Sequence, residues 1–165
     1  MFQGKNILFV CTGNTCRSVI AHGLFIKMWK QITGDMSNLQ VFSAGVGAVD
    51  GMRASSEALE ILRDEGIDFS RHRSMVLTRE MVRRADKIFT MTSAQKKFIL
   101  ANFPEAEGKV WLIQEYAFGS DTGDICDPYG QGIDIYRLAA AEIQNALRNI
   151  IINLHSFENN DQSLE

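Results

Sequence analysis

The stretch that most constrains this chain is Asn6–Ser18, "NILFVCTGNTCRS". Asn6–Val10 reads as a short buried strand, and from about Ser18 to Ile32 the apolar spacing predicts an amphipathic helix. Between them a polar turn holds two of the chain's 3 cysteines beside an arginine. The alternation continues downstream. Further strands are expected over Leu39–Gly45, Asp86–Thr92 and Lys109–Ile113. Helical spacing covers Ala54–Gly66, with Ala58, Leu59 and Leu62 inward, then Thr78–Arg84 and Ser93–Asn102. A loop rich in Gly and Asp is expected up to Gly132. One long terminal helix then presents Ile135, Ala139, Ile143, Ala146/Leu147, Ile150 and Leu154. Strands alternating with helices imply right-handed βαβ units, hence an α/β fold with a parallel sheet covered by helices on both faces. Ligands bind such sheets at the carboxyl ends of the strands, near the reversal of strand order. The turn after the first strand is therefore where a site is expected.

A length of 165 residues suits one domain with a sizeable core. The domain is expected to span residues 1–157, with 158–165 a polar, frayed tail. A net charge of −3 lacks the basic excess of nucleic-acid binders. No run reaches the length of a signal-peptide core or a transmembrane helix, so no membrane partner is expected. Three cysteines without dense spacing point to a reducing cytoplasm.

The chemistry of the turn is specific. A loop wrapping into a helix N-terminus points successive backbone N–H groups inward and makes an anion cradle. Gly13 is expected to supply unusual backbone angles, and Asn14 tolerates the left-handed region. Arg17 offers a planar fork for two phosphate oxygens. Ser18 suits the helix N-cap and can donate its hydroxyl to a nearby sulfur. Helix N-termini and adjacent cations favour thiolates, so Cys11 at the bottom of the bowl becomes a nucleophile aimed at a bound phosphorus. The plainer reading of a cysteine closing an apolar strand is a small buried hydrophobe. An acid for the leaving group is offered far downstream in "GDICDPYG", where Pro128 pushes Asp127 toward an extended backbone. A lone Asp-Pro also reads as a turn initiator. Tyr129 beside it is either core or a pocket wall.

Taken together, strand, Cys-x5-Arg-Ser, helix and a distant Asp-Pro-Tyr resemble the low-molecular-weight protein tyrosine phosphatase family. "SAG" after the second strand, "HRS" at His72–Ser74, "MT" after the third strand and "DPYG…IDIY" extend the likeness over nearly the whole chain. The resemblance implies a four-stranded parallel sheet with its phosphate loop between the first strand and the first helix. It also implies no metal, no cofactor and a cysteinyl-phosphate intermediate on phosphorylated protein substrates. Carried over, Cys11 is the nucleophile, Arg17 binds phosphate and stabilises the transition state, and Asp127 serves as acid and then base. Thr12, Gly13, Asn14, Thr15, Cys16 and Ser18 complete the phosphate loop. Ser18 hydrogen-bonds the thiolate and Asn14 holds the loop's shape, with Ser43 and His72 in supporting positions. Cys16 matches a partner that forms a reversible disulfide with the nucleophile, shielding it from irreversible oxidation.

The family usually has proline and, three residues later, an acidic residue where this chain has Val19 and His22. His22 and His155 lack motif support and are expected to be solvated. Thr15 stands where tyrosine-specific members carry a bulky aliphatic residue. The loop resembles bacterial protein arginine phosphatases throughout, as Cys-Thr-Gly-Asn-Thr-Cys-Arg-Ser. That likeness, and a glycine-rich Gly45–Gly51 loop without an aromatic residue, lean toward phosphoarginine; Tyr129 as pocket wall leans toward phosphotyrosine. Two alternatives share the fold. An arsenate reductase needs further relay cysteines, and this chain has none between Arg17 and Ile125. A non-hydrolytic cysteine phosphocarrier has no use for Arg17 together with Asp127.

Overall fold

The computed structural model describes residues 5–120 and 122–161, with side chains to 156. Its elements in chain order are β1 Lys5–Cys11, α1 Arg17–Thr33, β2 Leu39–Gly45, α2 Ser56–Asp64, α3 Arg79–Arg84 and β3 Lys87–Thr90. They continue with α4 Ser93–Asn102, β4 Val110–Leu112, α5 Ile113–Phe118 and α6 Ile133–Asp161. The four strands form one parallel sheet in the order β2-β1-β3-β4. The expected α/β fold with a four-stranded parallel sheet is the observed one.

β1 explains the layering. Ile7, Phe9 and Cys11 face a core built with α1, α2, α5 and α6. The intervening Leu8 and Val10 face a second core with Val82, Ala85 and Ile99 from the α3 and α4 side. Both faces are dry from Ile7 on, so the strand is apolar at every position from Ile7 to Cys11 rather than alternating. Each fully buried Leu or Phe adds roughly 1.5–3 kcal/mol. β1 also sits where strand order reverses, with β2 on one side and β3 on the other. Its carboxyl end therefore opens into a crevice between the neighbouring connections.

Several local expectations shift. β3 is shorter than expected because the amide of Thr92 leaves the ladder for Gln95 Oε1, at 3.0 Å, in the capping box of α4. α5 takes Ile113, read as the end of the fourth strand, and five residues of the stretch read as loop, six in all and too few for a helical period to register. On α2, Ile61 is buried alongside Ala58 and Leu62, while Leu59 is only half-buried. On α6, Tyr136 rather than Ile135 leads the buried face. The α6 backbone stays helical to Asp161, inside the stretch expected to fray, whereas residues 162–165 lie outside the described ones.

Neither histidine expected to be solvated is fully so. His22 follows the buried Ser18 by one helical turn, and His155 follows the buried Ile151 in the same way; both are half-buried. Among the described residues, no helix is long and apolar enough to cross a membrane.

Candidate active site

The β1–α1 connection is clamped from all sides. After β2 the chain turns so that the Val46 and Gly47 amides donate to the carbonyls of Cys11 and Thr12, each at 3.0 Å. Gly45 makes this approach possible: a Cβ there would lie 2.4 Å from the Thr12 carbonyl and 2.9 Å from the Asn14 nitrogen. From the α2 side, the Ser55 amide donates to the Thr15 carbonyl at 2.9 Å while its hydroxyl caps the helix. From the β3 side, buried Gln95 donates its side-chain amide to Thr12 Oγ1 at 3.1 Å.

Inside this clamp, Asn14 is wholly buried and takes the left-handed conformation, φ 55°. Gly13 does not: its φ is outside the positive region, and a Cβ there would make only an ordinary contact with Thr15 Oγ1 at 3.6 Å. The strain expected of the glycine is carried by the asparagine, whose short amide side chain is fully bonded. Asn14 Nδ2 donates to Ser18 Oγ at 2.9 Å and to Ser43 Oγ at 3.1 Å, and Oδ1 accepts from the Met75 amide at 2.9 Å. His72 Nε2 donates to the Asn14 backbone carbonyl at 2.8 Å, which fixes the histidine tautomer. Ser43 and His72, distant in sequence, thus converge on one residue of the loop.

Cys11 is 3 % exposed. Its sulfur lies 2.9 Å from Ser18 Oγ and accepts from the Asn14 amide at 3.3 Å. Ser18 is not the N-cap: α1 begins at Arg17, Cys16 holds the cap position without a side-chain hydrogen bond, and the serine hydroxyl is engaged by Asn14 and the sulfur. Cys16 Sγ sits 3.2 Å from the Tyr136 hydroxyl and 3.6 Å from Ser55 Oγ. Burial and the neighbouring sulfur hold the Tyr136 phenol well above its ordinary range. All three cysteines are free thiols.

Arg17 is buried, with one guanidinium nitrogen donating to the Ile125 carbonyl at 3.0 Å. Ile125 is itself tied to the end of β3 through its amide and the Met91 carbonyl. The other terminal nitrogen lies 3.5 Å from Asp127 Oδ2. That carboxylate is 58 % exposed, so the ion pair adds little stability. The Tyr129 amide donates to Asp127 Oδ1 at 3.2 Å, turning the carboxylate back toward the loop. Burial, chiefly, pushes the adjacent Cys126 thiol up.

Cys11, Thr12, Gly13, Thr15, Cys16 and Arg17 line an open cavity of about 330 Å³, closed by Gly47, Val49 and Met52 on one side and Asp127 and Tyr129 on the other. Tyr129 is 73 % exposed and stands at the rim as a wall, not as core. Val46 turns away and packs on the second core. Among the described residues, no three metal-ligating His, Cys, Asp or Glu side chains gather.

Sequence reading missed Gly45, Ser55, Gln95, Tyr136 and the engagement of His22. Gln95 left a signal, because Thr-x-x-Gln before an apolar run is a capping box. Gly45 sat inside the quoted "SAG". Tyr136 closed the quoted "IDIY" and His22 marked a departure from the family pattern, but neither showed its partner.

A buried cysteine at the strand-to-helix turn, an arginine beside it and a half-exposed carboxylate across the cavity define a cysteine-dependent phosphatase. This chain belongs to the low molecular weight phosphotyrosine protein phosphatase family, whose model matches residues 6–162. The protein-arginine-phosphatase of Geobacillus stearothermophilus is 40% identical over 150 residues, covering 91% of this chain and 96% of the relative. The probable low molecular weight protein-tyrosine-phosphatase EpsP of Ralstonia solanacearum is 38% identical over 143 residues, 87% and 91% of the two chains. Among solved structures, a mutant of the YwlE arginine phosphatase with a phosphorylated active-site serine aligns with a TM-score of 0.83 at 39% identity, covering 91% of this chain and 95% of that one. This chain is accordingly an enzyme of the low-molecular-weight protein phosphatases. The reductase and phosphocarrier readings give way to that finding.

Proposed function

We propose that this protein hydrolyses phosphoarginine in protein substrates, through a phosphocysteine on Cys11. The Cys11 thiolate attacks phosphorus, the S–P bond forms as the N–P bond breaks, and Asp127 gives its proton to the departing guanidine nitrogen. Asp127, now a carboxylate, takes a proton from water, which attacks the phosphocysteine and releases phosphate. The Arg17 fork, backed by the Ile125 carbonyl, grips the equatorial oxygens as charge spreads over them. Ser18 holds the thiolate, Asn14 shapes the loop, and Ser43 and His72 brace Asn14. The thiol of Cys11 works only when reduced, which suits a cytoplasmic enzyme.

The observation that carries the choice of arginine is Thr15. It lines the cavity with a short hydroxylated side chain, where a branched alkyl group would narrow the space above Cys11. That leaves room for a planar guanidinium and a hydroxyl to orient water. The two arginine-phosphatase likenesses lean the same way. Tyr129 walls one side of the mouth while Val49 and Met52 form the other, so a phenyl ring also fits between them.

The test compares kcat/KM on one peptide carrying phosphoarginine and on its phosphotyrosine counterpart, with Cys11→Ser as the blank. The expected result is a preference for phosphoarginine that Thr15→Ile shifts toward phosphotyrosine. A one-methylene change in pocket shape is worth about 10–200-fold, which sets the scale of that shift. An unmoved preference would mean that Tyr129, not Thr15, selects the substrate.

A further inference from the structure

Asn14 commits every polar atom of its side chain. Met75 donates to Oδ1, which fixes the amide's orientation, so the two Nδ2 hydrogens go to Ser18 and Ser43. Each serine oxygen accepts one of these bonds and keeps one hydrogen of its own to place. For Ser18 the partner is Cys11 Sγ, at 2.9 Å. For Ser43 the partner is His22 Nδ1, at 3.2 Å. Asn14 and Ser18 are wholly buried and Ser43 nearly so, leaving no water to take a misdirected proton. Hydrogen-bond direction therefore runs outward from Asn14 along both arms, one ending on sulfur and the other on an imidazole.

The second arm closes only if Nδ1 of His22 is a bare lone pair. A proton on Nδ1 would make Ser43 Oγ accept from both the imidazole and the Asn14 amide, and would strand the serine's own hydrogen. The surroundings keep the ring neutral, so one ring nitrogen is bare, and the Ser43 contact places that lone pair at Nδ1. His22 lies edge-on to Phe69, ring centroids 4.9 Å apart, and His72 stacks on Phe69 at 5.8 Å. β2 presents Ser43 and the backbone of Val41; the Phe69–Arg73 segment presents His72, with Arg73 behind it. Burial first, then His72, pushes His22 down to about 4, with Val41 pulling weakly the other way.

We propose that neutral His22 is a positioning residue that terminates this chain, pinning Asn14 through Ser43 and so committing the Ser18 proton to Cys11. The proposal rests on Cys11 being the nucleophile and is independent of which phosphorylated residue is the substrate.

The experiment measures iodoacetamide alkylation of Cys11 in mildly acidic buffer, followed by mass, together with kcat and KM on an aryl phosphate and thermal melting. The proteins are full-length wild type, His22→Leu, His22→Asn, Ser43→Ala and the Leu/Ala double variant. Asparagine places an oxygen near the Nδ1 position. Loss of one hydrogen bond to a charged sulfur predicts alkylation about tenfold slower in H22L, with kcat falling by a similar factor and KM within about twofold. H22N restores both, and the double variant is no slower than S43A alone. Wild-type alkylation in H22L overturns the proposal, as does a folded H22N as slow as H22L, or losses that multiply in the double variant. Should H22L not fold, wild-type alkylation in S43A overturns it equally. If the wild-type label lands on Cys16 or Cys126 and survives Cys11→Ser, the nucleophile assignment fails instead.

Discussion

The two halves of the candidate active site are built to opposite rules. The loop from Cys11 to Ser18 is held by backbone bonds from the β2 turn and the α2 cap, by buried side chains from β2 and α4, and by half-buried His72. Asp127 and Tyr129, across the cavity, are 58 % and 73 % exposed and are fixed by a short turn around Pro128. Cys11, the proposed nucleophile, must meet phosphorus at one distance and angle, which a rigid and dry support suits. Asp127, the proposed acid, must reach leaving groups of different protein substrates, which a local support open to solvent suits. Changes in the first region should therefore cost stability as well as rate, and changes in the second should cost rate alone.

Cys11→Ser makes the largest difference. Turnover is expected to vanish while phosphate binding, followed by calorimetry, persists, because the loop and Arg17 are untouched. Turnover at wild-type rate would remove Cys11 from the chemistry.

Asp127→Asn comes next. A positioned acid contributes roughly 10²–10⁴-fold, so kcat/KM should fall by that order on substrates with poor leaving groups and far less on activated aryl phosphates. Its melting curve should match wild type within about 0.5 kcal/mol, as for other surface changes. Equal losses on both substrate types would sink its role as acid.

Gly45→Ala tests the rigid half from outside it. The new Cβ meets backbone of the phosphate loop, not a flexible side chain, so the loop itself must shift. Overpacking of this kind costs about 1–3 kcal/mol, and kcat should drop alongside stability. A variant that melts lower yet keeps full kcat would show that the loop tolerates displacement.

Acid sharpens the contrast most gently. His22 titrates at about 4 in the native state against about 6.5 unfolded, so between those values the unfolded chain binds a proton that the native state refuses. Stability present above pH ~6.5 is thus lost progressively as pH falls toward ~4, by up to about 3 kcal/mol. Burial also lowers His72, which acts in the same direction. Denaturant melts across this window should show the decline in wild type and a flatter curve in His22→Leu. Parallel curves would remove His22 as its source.

How much of this was legible beforehand follows the chain's own geometry. β2 and α4 match their expected bounds because each carries its whole signal within itself: a β-branched and aromatic run, or a Thr-x-x-Gln cap before apolar spacing. α5 was lost because six residues hold fewer than two turns. Of the two residues expected to allow unusual backbone angles, Asn14 and not Gly13 takes a positive φ, because glycine only permits one while four side-chain and backbone partners hold the asparagine in it. Tyr136 was read one position off the inner face, since periodicity places a stripe only to within a residue or so.

By itself the sequence determined the alternation of strands and helices, the dry central strand and the order of groups around Cys11, Arg17 and Ser18, all of which rest on residues within one or two turns of one another. The tertiary structure alone decided that Gly45 lets β2's turn reach the loop, that Gln95 and Ser55 hold it from opposite sides, and that His22 ends a chain begun at Asn14. Those contacts depend on strand order and register, which set which distant atoms fall within 3 Å of one another. A hydrogen bond is a short-range, directional interaction, and no spacing along a single chain encodes that proximity.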